Sequence, residues 1–94
     1  MEEKLLTRHP QGKQGVNIST AKYLQVKEFI LQCLRDQGEM TFEALAEQAL
    51  RTVQPVFDGK VLWYLVTVKL DLEARQLITR IPKSSPQKLR VVQK

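Results

Sequence analysis

One stretch, Asp58 to Leu77, limits the folds open to this chain more than any other. Its first part, Val61-Leu62-Trp63-Tyr64-Leu65-Val66-Thr67-Val68, is β-branched and aromatic, the composition of a strand. Its second part, Lys69-Leu70-Asp71-Leu72-Glu73-Ala74-Arg75, is strongly helical, and no breaker separates the two. The whole run is too long for an ordinary strand of about 5–6 residues, so the reading is a helix over about 59–75, capped by Asp58-Gly59. At about 100° per residue, Val61, Leu65, Val68 and Leu72 form one face with Leu62 beside it. Trp63, Val66 and Leu70 fall opposite. A helix apolar on both sides needs a second cover, which the N-terminal segment folding back or a second copy of the chain would supply.

The other elements follow from local signals. Residues 1–18 read as an extended or looped arm, because His9-Pro10-Gln11-Gly12-Lys13-Gln14-Gly15 is rich in breakers and poor in apolar residues. Val16 and Ile18 are placed to seat it on the core. Ser19 or Thr20 caps a first helix over about 20–36, with Tyr23, Val26, Phe29, Ile30, Cys33 and Leu34 at helical spacing, and Leu24 and Leu31 widening that stripe or beginning a second one. Gly38 ends it. Cys33 on the stripe reads as a buried, inert thiol. Thr41 caps a second helix over about 42–53, with Phe42, Leu45, Ala46, Ala49 and Val53 on one face and Glu43, Glu47 and Arg51 on the other, and Pro55 closes it. Leu77–Ile81 and Lys88–Val92 alternate like short strands around Pro82-Lys83-Ser84-Ser85-Pro86-Gln87, a hairpin over about 77–92.

With 94 residues, 43% hydrophobic and 27% charged, the chain suits one globular domain, not two catalytic lobes or a wholly disordered chain. A single cysteine excludes an intramolecular disulfide and a cysteine-rich zinc site. Absence of an apolar leader or an 18-residue apolar window predicts a cytoplasmic protein with no membrane partner. The net charge is +5, and residues 79–94 alone carry five bases and no acid. A basic end segment suits either phosphate binding or a solvated tail.

Three helices followed by a hairpin with a basic loop resemble the winged helix-turn-helix superfamily. The run Leu72-Glu73-Ala74-Arg75-Gln76-Leu77-Ile78-Thr79-Arg80 resembles the link from third helix to wing in many bacterial winged-helix regulators, which usually have glycine at the position of Gln76. Gly38-Glu39-Met40-Thr41-Phe42-Glu43-Ala44-Leu45-Ala46 looks like their approach to the second helix. Together with Thr7-Arg8-His9-Pro10 and Gly15-Val16-Asn17-Ile18, the chain resembles a small bacterial winged-helix family of uncharacterised function. The resemblance implies a mainly α domain with a small β-hairpin (α+β), an arm over 1–18 and a winged-helix domain over 19–94.

Catalytic signals are weak. Gly12-Lys13-Gln14-Gly15 lacks the upstream glycine, the hydroxyl residue and the preceding strand of a phosphate loop. His9 is the lone histidine, which leaves little for a metal site or a catalytic triad. The expectation is a non-enzyme without cofactor or metal. Two functions remain. In the first, a possible transcriptional regulator binds duplex DNA, with Arg80, Lys83, Lys88 and Arg90 neutralising phosphates, Ser84 and Ser85 donating to the backbone, and Lys60, Tyr64 and Thr67 contributing from the third helix. In the second, Trp63, Val66 and Leu70 form a protein interface, to a homodimer or another partner. A groove-reading helix shows polar groups to base edges, so these three residues argue for the second, as do Glu43 and Glu47 if they face phosphate, while fold resemblance and charge together put the first ahead and leave the second as the alternative.

Overall fold

The long apolar run is a helix in the structure, a computed structural model that describes residues 3–83 and 86–92. This helix, α3, spans Val61–Ala74, and Val61, Leu65, Val68 and Leu72 are all buried. Burying each such side chain is worth about 1.5–3 kcal/mol, whereas a β-branched residue lowers helix stability by no more than about 0.7 kcal/mol. Packing therefore overrides the strand-like composition. Two expectations fail here. Lys60, not Asp58-Gly59, holds the N-cap position, and it makes no side-chain cap. Gly59 instead turns the chain at φ +141°, where an added Cβ would sit 3.1 Å from the Tyr64 ring and 3.3 Å from the Phe57 ring. Leu62, read as flanking the buried face, is 44% exposed.

Two further helices pack on α3. The first, α1, spans Thr20–Gln37, and its cap is Ser19, whose Oγ accepts from the Lys22 N–H at 3.3 Å. Its buried stripe is Tyr23, Val26, Ile30, Leu31 and Leu34, while Leu24 is exposed and Phe29 and Cys33 are half-buried. Burial first, and Asp36 second, push the Cys33 thiol up. Gly38 ends α1 at φ +83°. The second helix, α2, spans Phe42–Thr52, and Thr41 Oγ1 accepts from the Ala44 N–H at 3.1 Å. A short 3₁₀ turn at Gln54–Val56 holds Pro55.

The first strands, β1 (Lys4–Leu6) and β2 (Asn17–Ser19), pair antiparallel, with Leu5 opposite Ile18. The segment read as an irregular arm is therefore a hairpin. Its breakers sit in the connecting loop, and its short ends find each other only because Ile18 is buried in the core. Val16, also expected on the core, is 40% exposed. Strand β3 (Met40–Thr41), which no sequence signal announces, joins β4 (Ile78–Arg80) and β5 (Lys88–Val91) in an antiparallel sheet of order β3-β5-β4. Met40 lies opposite Leu89, and Ile78 opposite Val91. The core sits between the three helices and the Met40–Ile78–Leu89 face of this sheet. Between α3 and β4, Gln76 adopts φ 62°, with its N–H donating to Glu73 and that of Leu77 to Leu72. This helix stop is normally built on glycine.

Asp71 ties these parts together. It is fully buried in α3, yet its Oδ1 accepts from the Arg8 backbone N–H at 2.8 Å, and its Oδ2 accepts from the Tyr23 hydroxyl and from Arg75 Nε at 2.8 Å. One carboxylate thus joins the N-terminal hairpin, α1 and α3. Replacing Asp71 with asparagine removes a charge that three donors face, and should lower stability by about 2–3 kcal/mol. A denaturant melt of Asp71→Asn beside wild type measures it, and an unchanged midpoint refutes the role. The Tyr23 phenol is pushed above its ordinary value of 10.0, first by burial and then by its bond to Asp71. A phenol that ionises later in the folded state contributes stability that is complete below about pH 10 and lost as pH rises further. Stability should therefore fall above pH 10 in wild type, and less steeply in Tyr23→Phe, by chemical denaturation across that range.

Candidate functional site

The outer side of α3 is the surface on which the sequence signals converge. Leu62, Trp63 and Val66 are 44%, 46% and 42% exposed, so its first two turns present an apolar face. Leu70, grouped with them by spacing, is half-buried, because the N-terminal hairpin lies beside it. Thr7, Arg8, Gln14, Gly15, Val16, Thr67 and Leu70 line one narrow cleft there. The second cover that α3 requires is thus supplied in part by the chain's own start. Two polar-capable residues also sit elsewhere than on the outer face. Tyr64 is half-buried, edge-to-face with Phe57 at 5.1 Å and Trp63 at 5.0 Å, and Lys22 Nζ stands 5.5 Å from its ring centre. Thr67 borders the hairpin cleft. On the other flank, Lys69 Nζ lies 5.5 Å from the Phe42 ring centre.

The basic residues of the β4–β5 hairpin divide between two faces. Cross-strand partners share a face of a sheet and neighbours along a strand alternate. Arg80 pairs with the buried Leu89 and so projects on the helix side, where its Nε donates to Glu73 Oε1 of α3 at 2.7 Å. Lys88 and Arg90 lie on the opposite face with Thr41 and Thr79, and Lys88 Nζ donates to Glu39 at 3.2 Å. Arg90 borders a cleft with Arg35, Gly38 and Glu39 at the end of α1. These three cations therefore do not form one strip. Exposed Lys83 enters the connecting loop at φ 63°, and exposed Lys60 stands at the start of α3. Ser84 and Ser85 lie outside the described residues. Of the second-helix acids, Glu43 and Glu47 are exposed, and Glu47 pairs with Arg51 at 3.6 Å.

Glu73 is a site residue that spacing did not single out. Its side chain is 6% exposed, between Arg80 and Lys69, and Lys69 Nζ is 3.5 Å from Oε2. That second approach is an ion pair without a hydrogen bond, so Oε2 has no donor. Glu73, Thr79 and Arg80 form one wall of a cleft of about 260 Å³, and His9, Pro10 and Gln11 of the N-terminal loop form the other. Arg8 and Lys13 were also missed as surface cations. The available signal was an acid-free stretch, Lys4 to Lys27, whose bases are not confined to the chain's end. Among the described residues, no group of three His, Cys, Asp or Glu side chains converges to hold a metal ion, and no helix is long and apolar enough to cross a membrane.

A family model, described as a family of unknown function (DUF6958), matches residues 4–89. No curated protein matches the chain, and no solved structure does. The match covers most of the chain, which belongs to this family.

Proposed function

We propose that this member of the family is a winged-helix domain that binds duplex DNA through phosphate contacts on the α3 side of the molecule. The reading rests on one arrangement. The β4–β5 hairpin follows α3 directly and joins β3 in the order β3-β5-β4, which supports reading it as a wing beside the last turn of α3. Lys60 at the start of the helix, Arg80 at the base of the wing and exposed Lys83 in its loop are the cations this reading assigns to phosphate. Buried Glu73 orients the Arg80 guanidinium, which remains 46% exposed. The exposed first turns of α3 are largely apolar and offer little to base edges beyond the Trp63 indole N–H, so affinity is expected to come from phosphate and to depend little on sequence.

Anisotropy of a labelled mixed-sequence duplex, followed across a salt series, tests this. Wild type should bind with an affinity that falls as salt rises, and Lys60→Ala and Lys83→Ala should each reduce the logarithmic salt slope by about 1. Arg90→Ala, on the other face of the sheet, should leave it unchanged. Absence of binding at low salt refutes the proposal.

The exposure of Leu62, Trp63 and Val66 supports a second reading, self-association through α3. Sedimentation decides it. A wild-type dimer that Trp63→Ala converts into a folded monomer supports this reading, and a wild-type monomer at high concentration removes it.

A further inference from the structure

The N-terminal hairpin is built more firmly than a mere cover for Leu70 requires. Thr7 is 4% exposed, its N–H donates to the Val16 carbonyl at 2.9 Å, and its Oγ1 accepts from the Val16 N–H at 3.0 Å. Gly15 closes against it so tightly that an added Cβ would stand 1.7 Å from the Thr7 carbonyl oxygen. The hairpin is then attached to α3 by a backbone group, the Arg8 N–H on Asp71 Oδ1 at 2.8 Å. Attachment through the main chain leaves the Arg8 side chain exposed, beside Thr67 and Leu70. Between Thr7 and Val16 the chain carries Arg8 and Lys13, both exposed, and no acid.

Its position relative to the wing gives these charges a use. The loop residues His9, Pro10 and Gln11 face Glu73, Thr79 and Arg80 across one cleft, so the hairpin tip and the wing base are neighbours on the α3 side. Lys88 and Arg90, which a winged-helix reading of the sequence assigns to phosphate, face away from it. We propose that the N-terminal hairpin is a second phosphate-contacting element, with Arg8 and Lys13 extending the DNA footprint of Arg80 and Lys83 along the flank of α3. This rests on the DNA-binding reading above. A hairpin fixed before binding loses little conformational entropy when it meets the duplex, which is what the Thr7–Gly15 closure and the Asp71 bond supply.

The full chain, titrated with the same labelled duplex across the salt series, tests the hairpin separately from the wing. Arg8→Ala with Lys13→Ala should weaken binding and reduce the logarithmic salt slope by about 2, close to 1 for each phosphate no longer neutralised. Lys13→Ala alone, in the loop and away from the Asp71 bond, should show about half of that change. The charge-conserving pair Arg8→Lys and Lys13→Arg should bind as wild type does. Because the Arg8 contribution to the fold is its backbone N–H, the alanine variants should keep the wild-type denaturation midpoint. If both variants retain the wild-type slope while Lys83→Ala lowers it, the hairpin proposal is overturned and DNA binding by the wing stands. If wild type does not bind, both fall together.

Discussion

A carboxylate with no solvent exposure, Asp71, is the constraint on which the rest of the structure depends. Removing such a group from water costs several kcal/mol unless donors replace the lost hydration. Here the donors come from three places: Tyr23 in α1, Arg75 one turn along α3, and the Arg8 backbone of the N-terminal hairpin. Satisfying the charge therefore sets the rotation of α1 against α3 and the resting place of the chain's start. Apolar packing alone is non-directional and would leave the hairpin several ways to lie across Leu70. The hydrogen bond to Asp71 selects one.

That selection shapes the surface. With the hairpin along one flank of α3, its C-terminal half is covered and only Leu62, Trp63 and Val66 remain as an exposed apolar face. The same placement brings the N-terminal loop to the base of the β4–β5 hairpin, where Glu73 and Arg80 form the facing wall. Glu73 acts as the smaller counterpart of Asp71. It is a nearly buried acid that holds Arg80 in one orientation and draws Lys69 against Phe42. Two carboxylates on α3, two residues apart, thus organise the charges on either side of the helix.

The proposed function follows from where charge lies, not from how much there is. The chain's excess equals the charge of its last sixteen residues, which invites a basic-tail reading. Pairing in the sheet breaks that block up, sending Arg80 to the helix side and Lys88 and Arg90 to the other. The cations that the proposals draw on come instead from separated parts of the chain: Lys60, Arg80 and Lys83, with Arg8 and Lys13 from its beginning.

Features that depend on neighbours within a turn or two were legible in the sequence. The caps at Ser19 and Thr41, the stop at Gly38, the Tyr23–Val26–Ile30–Leu34 and Val61–Leu65–Val68–Leu72 stripes, and the hairpin after Leu77 all rest on spacing or on backbone preference at single residues. Features that depend on distant partners were not. Strand β3 is two residues long and exists only because β5 lies alongside it. The arm is a hairpin because Leu5 finds Ile18 at the core edge, and it is fixed because Arg8 meets Asp71, 63 residues away. Lys88 is held by Glu39, 49 residues away. Periodicity names the residues that share a face of one element, so the sequence by itself determined three helices, a terminal hairpin and their cores. Which way each face points depends on what packs against it. Tertiary structure alone therefore decided that Leu70 is covered, that Leu62 is exposed, and that the cations of the last segment take opposite sides of the sheet.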